Sequence, residues 1–424
     1  MRVSPENGTG IGHPCDAALA AARERYAVQH PLSLARYVQS LAAMPVCSVR
    51  NGPRYMPFPV ALVRGEGCEV WDADGIAYLD FDGNVYGHNH PVIAHGIRRG
   101  METGLPSGQT HEFADRLACC LCERVPGIGQ VIFAGCACEA RSAAIALARK
   151  YTGRLPCVLQ VGAGESDASE PGIITCDAND TRAMHSVAAQ SCAEIAAIVL
   201  PPILKPHCIP AEPGFAAAAR EAADRAGALL IFDETALPRL LPEDFRAGLG
   251  IDPDLIALDL RMGGPFPLGA LGAKAGVLDA LTENRPQEWL PSPAPLPVLS
   301  AALAGFTEVY TAAAAKALNA RGDCLRDRLN ALCLARRGRI EFTGAGAMLG
   351  ARPLPGRVGS SKPVSRGETK MGALFHFGML ERGIRLGPDG QILLSLAMRD
   401  QGCDALLHAV EALLVAEAEM FVAS

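Results

Sequence analysis

The 424-residue chain has no stretch of about 18 consecutive apolar residues, so the sequence predicts no membrane-spanning helix. Its opening, MRVSPENGTGIGHPCDAALA, lacks the basic and apolar segments of a secretory leader. Positive charge is not in excess: 39 Lys and Arg stand against 45 Asp and Glu, a net charge of −6. A weakly acidic surface attracts neither nucleic acid nor an anionic membrane, and neither is expected as a partner. These absences predict a soluble, cytoplasmic protein.

Metal-binding spacing is also missing. The 15 cysteines include no CxxC pair with a matching second half, and no His stands at zinc spacing. The odd count without a leader predicts free thiols rather than a disulfide framework. The densest group, Cys119, Cys120 and Cys122, reads as one face of a core helix, because free Cys packs as a small hydrophobe. No metal site is expected.

What is present is alternation. A helical pattern covers residues 15–44. Residues 59–83 alternate apolar and polar residues as short antiparallel strands, with a tight turn at Asp72–Gly75. From Pro91 onward, short apolar strands such as QVIFAG, ALLIFDET and PDLIALDL alternate with Ala-rich helices. That order predicts a mostly parallel sheet covered on both faces. A long helix is expected from about Val298 into the 330s, followed by an α+β tail. The predicted division is 1–80 (a helix and short strands packing with the small domain), 81–296 (a large α/β domain) and 297–424 (a smaller α+β domain).

The order of motifs resembles the class III aminotransferases of PLP fold type I, above all the glutamate-1-semialdehyde aminomutases. VWDADGIAYLDFDGNVYGHNHPVI is similar to the family's WDxDGxxYIDxxxxxGHxHP stretch. VPGIGQVIFAG with EA and AIALARKYTGR, LLIFDET, IDPDLIAL with GGPFPLGALGAK, and FHFGMLERGIRLGP have family counterparts in the same order. The resemblance implies the type I PLP-transferase fold and a homodimer. Asp233 matches the aspartate that pairs with the pyridine nitrogen. Arg50, in CSVR, matches the arginine that binds the substrate carboxylate, for which a guanidinium fork is suited. Ser292 aligns with the partner-subunit loop that closes on the phosphate. His88 and His90, in GHNHP, match a stretch read as structural.

The chemistry departs from this pattern. Aligned on its Gly-Gly, Pro and Gly, LDLRMGGPFPLGA (258–270) places Leu260 at the family's cofactor lysine. Leu cannot form an imine, and the Arg261 guanidinium stays protonated. The hydroxyl residues of the phosphate cradle are replaced by Gly135, Cys136, Ala137 and Cys138, and the ring-stacking Tyr-His pair has no counterpart. The expectation drawn from these changes is a PLP-independent biosynthetic enzyme with no cofactor, acting on a small carboxylate-bearing metabolite. Its candidate catalytic groups are Asp233 as acid/base and Cys136 or Cys138 as thiolates at a helix end. The alternatives are a non-catalytic binder of a metabolite or partner subunit, and a PLP-dependent aminotransferase or aminomutase that uses another lysine, Lys274 being nearest in sequence.

Overall fold

A computed structural model describes residues 14–44, 57–106, 108–161, 172–190, 194–204, 208–235, 248–260, 266–282, 291–353, 366–387 and 389–422. The chain opens on two helices, α1 (Pro14–Gln29) and α2 (Pro31–Ser40). One helix was expected here. Pro31 has no N–H to continue α1, and it holds His30 outside helical geometry at φ −124°, ψ 52°. The new helix start is served by Asp74, whose carboxylate accepts from the N–H of Leu32 at 2.7 Å and of Ser33 at 3.0 Å.

Strands β1 (Leu62–Glu66), β2 (Glu69–Asp72) and β3 (Ala77–Asp80) form an antiparallel meander. The expected turn joins the last two. Asp72 Oδ1 accepts from the N–H of Asp74 and Ile76, and Gly75 takes φ +85°. The meander does not stand alone, because β3 pairs in parallel with β15 (Ile384–Arg385). Asp80, almost fully buried, fastens this junction. It takes Arg385 Nη1 at 2.6 Å and His88 Nε2 at 2.7 Å, while Arg385 Nη2 reaches Asp82 at 2.9 Å. His88 is thus a junction residue. His90 precedes Pro91 and the helix α3 (Pro91–Glu102), which it starts without a side-chain cap.

The next segment runs through α4 (Glu112–Arg124), β4 (Gln130–Ala134), α5 (Ala137–Thr152), β5 (Cys157–Val161), β6 (Ile173–Asp177) and α6 (Thr181–Gln190). It continues with β7 (Ala197–Leu200), the short pair β8 (Ile203–Leu204) and β9 (Ile209–Pro210), α7 (Pro213–Ala226), β10 (Leu229–Glu234) and β11 (Leu255–Asp259). It ends with β12 (Gly269–Ala273) and α8 (Val277–Thr282). Seven of these strands make one sheet in the order β4-β12-β11-β10-β7-β5-β6. Only β12 runs antiparallel to its neighbours. Every residue of β11 and β12 is buried, which is why, Asp259 apart, their sequences are apolar or small rather than alternating. Alanines cover much of the buried faces of α5 and α7. This is the α/β sheet architecture that the alternation predicts.

The long helix expected from Val298 is broken. Helix α9 (Leu296–Ala304) passes through a π-helical turn at Gly305–Val309 and stops at Tyr310. Thr311 then caps a separate helix, α10 (Ala312–Ala335), its hydroxyl accepting from Ala314 N–H. Helix α9 lies tightly across α3. A Cβ added at Gly100 would meet Pro297 Cα at 2.4 Å, and one added at Gly96 would meet Ala301 Cα at 2.8 Å. The remaining elements are β13 (Ile340–Ala345), β14 (Met348–Pro353), α11 (Arg366–Leu380), β15, β16 (Gln391–Leu393), α12 (Asp400–Ala416) and α13 (Ala418–Phe421). Strands β13, β14 and β16 form a three-stranded antiparallel sheet. Among the described residues no single helix is long and apolar enough to cross a membrane.

Candidate active site

The carboxyl ends of β10 and β11 and the start of α5 meet at one edge of the large sheet. In a doubly wound sheet this is the edge where ligands bind. Asp233 lies next to last in β10, in register with Ala257 of β11, and is 6% exposed. Its carboxylate has a partner beside each oxygen. Oδ1 accepts from the N–H of Thr235 at 3.0 Å and from the Thr235 hydroxyl at 2.5 Å. Oδ2 stands 3.2 Å from Nε of Arg141, which projects from α5. The partner that a buried carboxylate needs is therefore a protein cation.

Helix α5 starts at the same edge. Cys136 is its N-cap in extended geometry, and Sγ accepts from Glu139 N–H at 3.5 Å. Glu139 reaches back so that its carboxylate accepts from Gly135 N–H at 3.1 Å, the reciprocal arrangement of a capping box displaced by one residue. The helix end thus already carries an acidic group. Cys138 is exposed on the first turn. The first residue of β12 presses on this turn from the other side. A Cβ at Gly269 would stand 2.3 Å from the carbonyl oxygen of Cys136, so only glycine fits there.

Leu260 follows β11 directly and is fully buried, its N–H donating to Leu268 O at 2.8 Å. There it is apolar filling. Arg261 and Arg50 lie outside the described residues. Ser292 is exposed on the segment leading into α9. Lys274 is far from Leu260. Because β12 is antiparallel to β11, the six residues from Leu268 to Lys274 carry the chain roughly 20 Å toward the opposite sheet edge. There its ammonium pairs with Asp252. The structure therefore brings Asp233, Leu260, Cys136 and Cys138 to one edge and leaves Lys274 away from it. Sequence reasoning missed Arg141 and Thr235. Thr235 was the more accessible of the two, since a Thr two residues after a strand-end Asp suits a local side-chain turn. Arg141 carried no comparable signal, because its partner is 92 residues away in sequence.

Over 414 residues the chain is 34% identical to the β-phenylalanine transaminase of Variovorax paradoxus, covering 93% of this chain and 95% of that protein. The chain belongs to the class III aminotransferases. The solved β-phenylalanine aminotransferase of V. paradoxus superposes with a TM-score of 0.89 at 32% identity, covering 97% of this chain and all of that one. The FumI protein of Sphingopyxis sp. MTA144, solved as its PLP internal aldimine, shares the fold at a TM-score of 0.74 and 22% identity, covering 92% and 98% of the two chains. No family model matches the chain.

Membership corrects two expectations. The PLP-independent enzyme and the absence of a cofactor were inferred from Leu260 and the altered cradle. The relatives that match nearly end to end are transaminases, and neighbours of this fold hold PLP. Those changed positions do not carry a change of chemistry against that. The residues present nevertheless do not fit PLP held as an imine at position 260. Leu260 offers no amine, and no other lysine among the described residues stands at this edge. Lys150 ends α5, Lys274 pairs with Asp252, Lys316 belongs to α10, and Lys370 pairs with Asp16 of α1.

Proposed function

We propose that this aminotransferase moves an amino group to or from a small carboxylate-bearing substrate with PLP as its cofactor, and that a lysine other than residue 260 serves it. The observation that carries the reading is the similarity, 34% identity over 93% of the chain, to a β-phenylalanine transaminase. The retained Asp233 and the helix start at Cys136, both at the ligand-binding edge of the sheet, support it. When bound, PLP supplies the electron-withdrawing ring that makes amino-group transfer feasible. Arg50 supplies the cation for the substrate carboxylate, on the strength of its place in CSVR. A homodimer is part of the same reading. The apolar side chains of Val28, Leu32 and Val38, on and beside α1 and α2, are 76%, 55% and 59% exposed, as a surface awaiting a partner copy would be.

The chain has six lysines: Lys150, Lys205, Lys274, Lys316, Lys362 and Lys370. Lys205 and Lys362 lie outside the described residues, and Lys205 directly follows β8. Incubation with PLP, borohydride reduction and peptide mapping read all six at once. β-Phenylalanine with a 2-oxo acid acceptor tests turnover, and sedimentation of the same sample reads the oligomer. The expected result is a pyridoxyl group on a single lysine together with amino transfer. A protein that retains no pyridoxyl group and transfers no amine overturns the reading.

A further inference from the structure

We infer that Arg141 competes with the cofactor's ring nitrogen for Asp233. The inference rests on the PLP reading above and adds a positioning residue to it. Asp233 has one oxygen committed to Thr235, at 3.0 Å from the N–H and 2.5 Å from the hydroxyl. The other faces Arg141 Nε at 3.2 Å. A pyridine ring that uses Asp233 must approach that second oxygen. There it meets a carboxylate whose charge is already balanced, and a protonated ring would meet the guanidinium's positive charge as well. The side chains differ in access, with Arg141 24% exposed and Asp233 9% exposed. Arg141 is therefore the more accessible member of the pair. Its position on α5 gives it a fixed base, because the helix start is held by the Cys136 and Glu139 caps and by the close approach of Gly269.

The pair costs the protein cofactor affinity and gives the Asp233 carboxylate a countercharge when no ring is bound. A buried carboxylate left alone is strongly unfavourable, and two hydrogen bonds from Thr235 do not cancel its charge. Removing Arg141 leaves Asp233 seeking a cation, and a protonated ring nitrogen is one.

The test measures binding of pyridoxamine phosphate, which needs no lysine, to the full chain by equilibrium dialysis. Arg141→Ala is expected to bind about tenfold tighter than wild type, the low end of what one charge-assisted contact carries. Arg141→Lys, which keeps the charge, is expected to stay near wild type. The 1-deaza analogue, with carbon in place of the ring nitrogen, is expected to bind wild type and Arg141→Ala equally. If Arg141→Ala does not fold, Arg141→Gln gives the same neutral comparison. Binding to wild type with no gain in the folded neutral variant overturns the competition alone. An equal gain for the deaza analogue does the same, since it would mean that bulk rather than charge is relieved. Failure of every protein to bind overturns the cofactor reading and this inference together.

Discussion

At the scale of single residues, the site is defined by which groups answer one another. Asp233 is answered by Arg141 and Thr235, and Cys136 by Glu139. Sulfur is a weak acceptor, and 3.5 Å is a long contact for a cap. Serine is among the best N-cap residues. Cys136→Ser is therefore expected to stabilise the protein by about 0.5–1 kcal/mol, and Cys136→Ala to give no gain. Urea midpoints of the two variants at fixed pH read this. If serine and alanine shift the midpoint alike, the cap is not what residue 136 contributes. Of this site, Asp233 and the cysteines were legible in the chain because they stand in ordered motifs. Arg141 was not legible, since an arginine in an Ala-rich helix reads as a solvated face until the strand beside it is known.

At the scale of elements, the fit between the start of β12 and the start of α5 shapes the site edge. At Gly269 an added Cβ would strike backbone, the Cys136 carbonyl oxygen at 2.3 Å and the Ala137 nitrogen at 2.9 Å. At Gly272, three residues along the same strand, the nearest obstacle is the tip of the Ile128 side chain at 2.6 Å. Backbone cannot step aside as a flexible side chain can. Gly269→Ala is expected to cost about 1–3 kcal/mol, and Gly272→Ala less. Denaturation of the two variants side by side tests the ranking, and the reverse order would show that the backbone around Gly269 yields more easily than the apolar packing around Gly272. The two helix breaks follow a related logic. The one at Pro31 could be read from composition, because proline lacks an N–H. The one after Gly305 could not, because GFTEVYT contains no proline to mark it.

At the scale of the whole molecule, the buried polar groups set how stability depends on pH. Burial pushes the His376 imidazole down to about 4, and the Arg385 guanidinium pushes it the same way. The unfolded chain binds a proton near pH 6.5 that the folded chain refuses until about pH 4. Stability from this group is therefore full above about pH 6.5 and is lost as pH falls, at up to about 1.4 kcal/mol per unit. Asp80 acts at lower pH. Burial opposes its charge, but His88 and Arg385 outweigh that and hold its pKa below the usual value. Its contribution is present above the unfolded carboxyl range and disappears as pH drops through the depressed value. Unfolding free energies at pH 7, 6 and 5 are expected to decline for wild type and to decline less for His376→Leu. Parallel slopes for the two proteins would remove His376 as the source.

The sequence by itself determined the class of fold. The alternation of short apolar strands with Ala-rich helices admits few arrangements, and the ordered motifs from VWDADG to FHFGML point to one family. It also determined that residue 260 is leucine, a fact no folding can alter. What it could not determine was the meaning of that leucine, because the function of a position depends on what surrounds it in space. Only the tertiary structure set Arg141 against Asp233 and carried Lys274 to the far edge of the sheet. Both are consequences of strand direction. An antiparallel β12 between two strands of the opposite sense turns a near neighbour in sequence into a distant one, and a helix laid on β10 turns a distant residue into a contact.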